Sequence, residues 1–290
     1  PWNKSRALNS AIKNFDDGFC FVADIDMIFR PDFIEKAIGL QESNKCIYFQ
    51  VGFLSPDDKV KEGGFQSFKD FRKSTYEATG LSMIPVKALR ELRGYDEFYH
   101  FWGAEDTDIH VRIRNAGYEV AYYDEEVLML HQWHPSYRSS ESSDLSKELQ
   151  ISGIVQLNHQ HLKHAIQHKT TLVNLENWGD CFPRVVLDEL EKSPVNFIID
   201  NEQRKINHFL YVIMPGFKNQ ILKIIIQKDP FQNSPKFRVK KIMGKKVPEY
   251  YTLKQINDKV LLHIISFYRD KPYTFKISDD LKEIEIAIKF

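Results

Sequence analysis

The sequence has few cysteines and no long apolar run. Its three cysteines, Cys20, Cys46 and Cys181, are odd in number and lack CxxC spacing, which argues against a disulfide framework and is typical of a reducing compartment. No apolar stretch approaches the roughly 18 residues of a membrane-spanning helix, and no basic-then-apolar segment resembles a secretory signal. We therefore expect no transmembrane segment and a cytoplasmic location.

The sequence also has no excess of either charge. Forty basic residues balance forty acidic ones among 290, and there is no polybasic tail. This balance argues against a nucleic-acid partner or a strongly anionic membrane surface. The composition, 42% hydrophobic and 28% charged, is typical of one large or two medium globular domains. A small molecule or a glycan is the partner that it favours.

Two acidic residues follow the first apolar segment. Residues 19–23 have the length and the aromatic or β-branched content of a strand covered on both faces, and Asp24-Ile25-Asp26 comes next. Residues two apart share one face of a strand, so both carboxylates are expected to point the same way and to need a cation. Ligands lie beyond the carboxyl ends of strands in such sheets, and hard oxygen ligands suit Mg²⁺ or Mn²⁺.

The first 138 residues alternate between predicted helices and strands, with a long polar loop between them. A helix that separates two strands is typical of a parallel or mixed sheet, so the predicted fold class is α/β with a Rossmann-like mixed sheet. The predicted elements are helices within residues 3–15, 32–40 and 105–115, strands at 19–23 and 45–54, a loop at 55–73, a strand and a Pro-started helix within 80–98, and a strand ending at residue 131.

The rest of the chain is predicted to form two further regions. Residues 139–169 would be a linker and a helix capped by Ser143 or Asp144, and residues 170–290 a separate accessory α+β region. The pattern of the latter predicts strands at 170–178, 195–201 and 221–229, a helix at 183–193, and a hairpin within 259–280.

Further chemistry-bearing residues follow Trp102-Gly103. Glu105 and Asp106 begin a predicted helix, and either could take a proton from an attacking hydroxyl. Trp102 offers a flat apolar face to a sugar ring, and Gly103 permits close backbone approach. His131, at a strand end, is expected to hold a divalent ion together with Asp26, with Asp24 close by, and this ion would neutralise a leaving diphosphate.

These segments resemble a known enzyme family. VADIDMIFRPDFI resembles the DxD metal segment of GT-A glycosyltransferases, and RGYDEFYHFWGAEDTDIHVRIRNAGYEV resembles their GGFDExFxGWGxEDxDLxxRLxxxG segment. GLSMIPVKAL resembles the stretch before the second segment, and KSRALNSAI resembles the ARNxG helix before the DxD strand. Family-2 enzymes, bacterial chondroitin polymerase and animal β-galactosyltransferases share this pair, and the resemblance covers residues 1–135.

The resemblance implies a GT-A catalytic domain in residues 1–138. It implies an inverting glycosyltransferase, dependent on Mn²⁺ or Mg²⁺, that moves a hexosyl or N-acetylhexosaminyl group from a UDP-sugar to a hydroxyl of a growing glycan acceptor. Retention of configuration stays an alternative, because related retaining enzymes use similar spacing. The implied setting is bacterial capsule or surface-polysaccharide biosynthesis, in the cytoplasm or in peripheral association with membrane assembly machinery at the inner face of the membrane.

The resemblance also implies roles for single residues, in three groups. Asp26 and His131 match the metal ligands, and Asp24 lies by the ribose or the metal. Asp106 matches the general base, with Glu105 beside it. The donor contacts are Arg6, Asn9, Asp24, Gly80 and Ser82, and the acceptor contacts are Trp102, Gly103 and Glu105.

The sequence departs from the family pattern in two places. The chain starts at Pro1, after the strand, helix and strand that hold the nucleotide in GT-A enzymes, so we expect the domain to be N-terminally incomplete. FWGAED also replaces GWGGED, which places Phe101 and Ala104 where the family has small residues and is expected to alter the acceptor pocket.

Simpler interpretations compete with several of these assignments. An acidic pair after a strand is often only a turn, and Glu105 and Asp106 also complement a helix N-terminus. His134 is interpreted as a loop residue, or as the substitute ligand if His131 faces inward. Two further groups are interpreted as solvated surface rather than as a zinc site or an anion-binding site: the histidines at 161, 164 and 168, and the basic run at 236–246.

Two rival functions remain at this stage. A haloacid-dehalogenase-like phosphatase also uses DxD after a strand, but Met27 and Ile28 do not fit its pattern and Trp102 has no role there. A catalytically inactive glycan-binding or scaffold protein is the non-enzyme alternative.

Overall fold

The computed structural model describes residues 1–58, 63–135 and 144–290, which form two compact units. The first unit comprises Trp2–Ser140 and Gly153–Asp180, and the second comprises Pro1, Glu141–Ser152 and Cys181–Phe290. The predicted boundary at residue 170 therefore differs from the observed division, because the helix before it and residues 170–180 pack with the first unit. Ser143, proposed as a helix cap, lies outside the described residues.

The first unit contains five helices and eight strands among its described residues. Its helices are α1 (Lys4–Ile12), α2 (Phe33–Gly39), α3 (Val86–Glu91), α4 (Glu105–Asn115) and α5 (Ile154–Gln167). Its strands are β1 (Phe19–Val22), β2 (Met27–Phe29), β3 (Lys45–Phe49), β4 (Gly52–Phe53), β5 (Arg72–Lys73), β6 (Ser82–Pro85), β7 (Glu119–Tyr123) and β8 (Met129–His131).

The eight strands form two mixed sheets. One has the order β1-β6-β3-β7, in which β3 and β7 are parallel and the other pairs are antiparallel. The other has the order β2-β8-β4-β5, in which β4 and β8 are parallel. The predicted α/β class with a mixed sheet is confirmed.

The first sheet is covered on both faces, as its apolar strands predict. Successive residues of a strand point to opposite faces. Cys46 and Ile84 pack with α3 and α4, through Ala88, Leu89, Ile109 and Ile113, while their neighbours Ile47 and Met83 pack with α2, through Phe33 and Ala37. Strand β1 contributes to both faces, with Cys20 and Val22 on one and Phe19 and Phe21 on the other, and the acidic segment leaves its carboxyl end.

Three local predictions for the first unit need correction. The predicted strand at 45–54 is broken at Gln50-Val51 into β3 and β4, which lie in different sheets. The predicted loop at 55–73 contains a 3₁₀ turn at Gly64–Ser67 and strand β5, and its residues 59–62 lie outside the described residues. The helix predicted from residue 144 begins at Ile154, because Gly153 adopts a left-handed conformation (φ 75°) before it.

The second unit contains a single four-stranded sheet among its described residues, with the order β11-β12-β10-β9. Its strands are β9 (Phe197–Asp200), β10 (Ile221–Gln227), β11 (Tyr273–Ile277) and β12 (Glu283–Lys289). Its helices are α6 (Arg184–Lys192), α7 (Gln203–His208), α8 (Met214–Gly216), α9 (Pro235–Ile242) and α10 (Leu253–Phe267), with a π-helical segment at Phe209–Ile213 joining α7 to α8.

The predicted strands near 195–201 and 221–229 and the helix at 183–193 are confirmed, whereas two other predictions for this half are wrong. Residues 170–178 form no strand. Residues 259–267 belong to α10 instead of a hairpin arm, and β11 pairs with β12. A sequence signal for α10 was present, because Thr252 and Gln255 form a capping box at its start.

Across residues 1–58, 63–135 and 144–290, no helix combines the length and the apolar character needed to cross a membrane.

Candidate active site

One open cleft of the first unit, about 1770 Å³ in volume, collects most of the predicted site residues. Its walls come from α1, the segment after β1, the β4–β5 region, the start of α4 and the segment after β8. The predicted site residues that line it are Asp24, Asp26, Trp102, Glu105, Asp106 and His131.

Strand pairing, more than the acidic motif itself, builds the candidate metal centre. Met27 of β2 lies opposite His131 of β8, which places Asp26 beside that histidine. The backbone N–H and the side-chain amide of Gln132 both donate to the carbonyl of Asp26 and fix this register. One ligand atom each from Asp26, His131 and His134 lies within 4.8 Å of the others.

His134, interpreted from sequence as a loop residue, therefore joins the candidate ligands. Its Nε2 lies 3.3 Å from Asp26 Oδ2, and Nε2 of His131 lies 3.5 Å from the same oxygen. His134 Nδ1 donates a hydrogen bond to the carbonyl of Pro135 at 2.9 Å. A ring nitrogen that donates to a carbonyl leaves the other nitrogen of a neutral imidazole with a lone pair, the form that metal-binding histidines adopt.

Asp26 also shows an unsatisfied atom that fits a cation. Its Oδ1 is buried and has no hydrogen-bond partner among the described residues. A buried carboxylate oxygen without a partner is costly, and a bound cation would satisfy it. The residues present thus fit a divalent metal of the kind that GT-A enzymes typically use.

Asp24 separates from Asp26 and lies outside this cluster. Strand β1 ends at Val22, so the two acids stand in a turn, with Ile25 fully exposed between them. The two acids therefore do not share a strand face, although both line the cleft. Asp24 instead contacts the ammonium of Lys4, with Oδ1 3.2 Å from Nζ.

Lys4, which no sequence motif marked, connects three acidic residues of the cleft. Its Nζ lies 3.2 Å from Asp24 Oδ1, 3.2 Å from Asp106 Oδ2 and 3.6 Å from Glu105 Oε1. These contacts raise the pKa of Lys4 against the opposing effect of burial, so the ammonium stays charged. Lys4 stands on the first turn of α1, where a single basic residue in sequence gives no indication of its partners.

Asp106 has the electrostatics of a group that exchanges a proton. Burial, with Glu105 and Asp24 adding like charge, raises the pKa of Asp106 to about 7, although Lys4 acts in the opposite direction. Asp106 stands in the first turn of α4, and Gly80 lies against it: a Cβ on Gly80 would meet Asp106 Oδ2 at 3.3 Å. The predicted donor contact Gly80 thus leaves space beside the carboxylate.

The segment before α4 adopts a backbone that favours glycine. Phe101, Gly103 and Ala104 all have positive φ, at 65°, 104° and 74°. Non-glycine residues rarely adopt this conformation, and it costs of the order of 1 kcal/mol for each. Glycine at positions 101 and 104, as in the related motif, would adopt these φ values without this cost. Trp102, 40% exposed, faces the cleft, and its carbonyl accepts from the Asn158 amide.

Three predicted donor contacts lie away from the cleft lining. Asn9 is buried, and its amide bonds the backbone of Tyr95 and the carboxylate of Glu97. Arg6 pairs with Glu97 at 2.9 Å. Ser82 is buried, with its hydroxyl bonded to the Thr79 carbonyl and to His110 Nε2. In this structure these side chains hold α1 and β6 in place.

The remaining histidine and arginine predictions have mixed outcomes. Arg112 pairs with Asp108 within α4 at 2.6 Å, as predicted, and both side chains are completely buried. His164 and His168 are exposed, but His161 differs from the expected solvated face: its Nε2 lies 2.8 Å from the buried Asp96.

Part of the sequence matches a known family of enzymes. A family model described as the N-terminal domain of galactosyltransferase matches residues 64–135, the segment that holds Asp106, His131 and His134. This match and the mixed α/β architecture of the first unit support a glycosyltransferase of the GT-A class.

Two curated proteins are similar to part of the chain. Chondroitin sulfate synthase 3 from Homo sapiens is 26% identical over 142 residues, which cover 46% of this chain and 16% of that protein. Chondroitin sulfate synthase 3 from Mus musculus has the same identity and coverage. The match thus spans only 16% of the length of each relative.

Proposed function

We propose that this chain transfers a sugar from a nucleoside-diphosphate donor to a hydroxyl of a glycan, with a divalent cation and with inversion. The observation that supports this most strongly is the convergence in one cleft of the Asp26, His131 and His134 cluster with the acidic start of α4. Lys4 connects Asp24, which follows β1, with Asp106 at the start of α4, since one ammonium contacts both carboxylates.

The chemistry of the ligand set supports Mn²⁺ as the cation. Imidazole ligands suit first-row transition ions, whereas Mg²⁺ prefers oxygen ligands and retained water, so one carboxylate with two imidazoles favours Mn²⁺. When bound, the cation would neutralise negative charge on the leaving diphosphate.

Asp106 is the general base of this proposal. The acceptor hydroxyl oxygen bonds to the anomeric carbon, the bond from that carbon to the diphosphate oxygen breaks, and the hydroxyl proton passes to the Asp106 carboxylate. A single displacement of this kind inverts the anomeric centre. A base whose pKa is about 7 is half ionised at neutral pH and accepts a proton more readily than an ordinary carboxylate does.

Trp102 and Glu105 would position the acceptor. The exposed indole presents a flat apolar surface to a sugar ring, and the nearby carboxylate can accept a hydrogen bond from a ring hydroxyl. Asp24 would take a ribose or metal-shell contact.

The identity of the donor and the setting rest on resemblance. The motifs support a UDP-hexose or UDP-N-acetylhexosamine, and the relatives, named for chondroitin sulfate synthesis, support polysaccharide biosynthesis. We propose a cytoplasmic role in bacterial surface-polysaccharide assembly from the motif resemblance alone; the two relatives described above are mammalian.

Calorimetric titration of the chain with UDP, with and without Mn²⁺ and repeated on Asp26→Ala, tests the proposal. We expect binding that requires both Mn²⁺ and Asp26. His168→Ala, at an exposed histidine of the same unit, is the matched control and should bind like the parent chain. Folded protein that binds no UDP under any condition would contradict the proposal, and release of phosphate from a simple phosphomonoester would instead indicate the phosphatase.

A further inference from the structure

A short helix of the second unit and the segment after it carry six basic side chains within eleven residues. They follow Ser234 on α9 and the segment after it, and they are Lys236, Arg238, Lys240, Lys241, Lys245 and Lys246. No acidic residue occurs between Asp229 and Glu249. In the part of the chain that the structure describes, none of the six forms an ion pair with a carboxylate. The chain as a whole is neutral, but this surface is strongly positive.

The helix is attached to the unit by one side only. The hydroxyl of Ser234 accepts the N–H of Phe237 and caps the helix. The Phe237 ring packs 5.6 Å from the Phe231 ring and 5.8 Å from the Tyr250 ring, measured between centroids. These contacts fix the inner face of α9 and leave its outer face to solvent.

The outer face carries large apolar side chains, with exposed basic ones near them, whereas the ammonium of Lys240 lies over the Phe231 ring, 5.9 Å from its centroid. Val239, Ile242 and Met243 are 54%, 85% and 61% exposed. Their spacing, i, i+3 and i+4, places them on one side of the helix. We call residues 235–246 the basic-apolar surface.

We propose that the basic-apolar surface binds an anionic lipid bilayer peripherally. Anionic headgroups attract the six cations, and the three apolar side chains enter the boundary between headgroups and acyl chains, where their contact with water ends. Lysine side chains can extend their ammonium groups towards the headgroups from the same face. A water-soluble polyanion would pair with the cations but would leave Ile242 and Val239 exposed, so the apolar component favours lipid.

The neutral charge of the whole chain does not oppose this binding. Salt screens exposed charges beyond about 8–10 Å, so a bilayer in contact with α9 interacts mainly with the local six cations. The proposal concerns the second unit and stands independently of the proposed transferase activity.

Sedimentation of the full chain with sucrose-loaded vesicles tests the proposal. One set of vesicles contains phosphatidylcholine alone, and the other contains phosphatidylcholine with phosphatidylglycerol. We expect binding to the anionic vesicles only, weakened about tenfold or more by Lys245→Glu with Lys246→Glu, both at exposed positions. Ile242→Ser should also weaken binding, although it leaves the charge unchanged.

Matched variants at other exposed positions show whether binding depends on the basic-apolar surface itself or only on net charge and exposed apolar area. Lys87→Glu with Lys163→Glu makes the same change in net charge at exposed positions of the first unit, and Ile166→Ser removes an apolar side chain that is 51% exposed. Both controls should bind vesicles like the parent chain. Circular dichroism melts of all variants establish that each one is folded.

Two results would overturn the proposal. One is that the parent chain does not sediment with anionic vesicles, or that the variants of the basic-apolar surface sediment as well as the parent chain does. The other is that Ile242→Ser binds vesicles like the parent chain and that heparin, a soluble polyanion, displaces the parent chain completely. Together these two results would identify a site for polyanions in place of a lipid-binding surface.

Discussion

Nε2 of His134 lies 3.3 Å from Oδ2 of Asp26 while Nδ1 of the same ring donates to the Pro135 carbonyl. In a neutral histidine this arrangement turns a lone pair towards a carboxylate oxygen. A cation between the two would relieve the repulsion. The pair therefore behaves differently with and without metal.

His134→Ala should weaken Mn²⁺ binding by roughly tenfold or more, because it removes a candidate ligand. Titration of Mn²⁺ followed by electron paramagnetic resonance measures the free ion. Asp26→Ala should remove binding almost completely, whereas His168→Ala should have no effect. Equal affinity in His134→Ala and the parent chain would show that His134 is only a loop residue.

Lys4→Met should move the acidic limb of the pH profile of kcat/KM to higher pH. The pKa of Asp106 is about 7, with burial, Glu105 and Asp24 raising it and Lys4 lowering it, so removal of the ammonium raises the pKa further. Activity then falls at a higher pH as the base becomes protonated. Lys4→Arg keeps the charge and should keep the limb near pH 7. A profile that is identical in Lys4→Met would exclude this coupling.

Asp106→Asn should abolish transfer and stabilise the fold above pH 7. The folded-state pKa is raised above the unfolded value, so the native state holds its proton more tightly and loses stability as pH rises from about 4 to 7. Asparagine does not ionise and escapes this loss, although it gives up the ion pair with Lys4. We expect the variant to be more stable by roughly 1–3 kcal/mol at pH 8 and equal near pH 4. Urea unfolding at both pH values measures this, and a variant that is less stable at pH 8 would contradict it.

Ala104→Gly should stabilise the first unit by about 0.5–1 kcal/mol, because glycine adopts the positive φ of this position without strain. Ala11→Gly, on an exposed position of α1, is the control and should cost a similar amount. Thermal unfolding of both variants measures the difference. If both substitutions destabilise equally, the backbone at residue 104 is not strained.

Arg112→Ala should destabilise the fold by about 3–5 kcal/mol, since it leaves the Asp108 carboxylate buried without its partner. Arg184→Ala removes the same i,i+4 pairing with Asp188 from an exposed surface and should cost less than about 1 kcal/mol. Denaturant unfolding of both variants measures the free energy of unfolding that each one loses and so distinguishes the buried from the exposed environment. Similar losses would mean that burial of the Arg112 pair has no energetic consequence.

Local sequence patterns predicted those features that depend on nearby residues. The Asp108–Arg112 pair was predictable because residues four apart on a helix are neighbours. The start of α4 and the two-sided burial of β1 followed from the same kind of periodicity. The α10 prediction failed because a continuous apolar run fits either a buried strand or a buried helix, and the capping box at Thr252 and Gln255 is the local signal that favours the helix.

Features that depend on distant pairing were not predictable. His134 joins Asp26 because β2 pairs with β8, whereas the sequence indicated His134 only as a loop residue or as a substitute for His131. Lys4 reaches Glu105 and Asp106 only after α1 packs beside the start of α4, and Asp106 is 102 residues away in sequence. Asn9 and Ser82 matched the family motifs, but tertiary packing directs them into the core.

The sequence by itself determined the class of this protein, since apolar periodicity and the two acidic motifs depend on neighbouring residues. The tertiary structure alone decided which side chains share the cleft, because strand register and helix packing set distances between residues far apart in the chain. Those distances place Asp26 with two histidines and give Asp106 its raised pKa, through burial and the like charges of Glu105 and Asp24, against the opposing charge of Lys4.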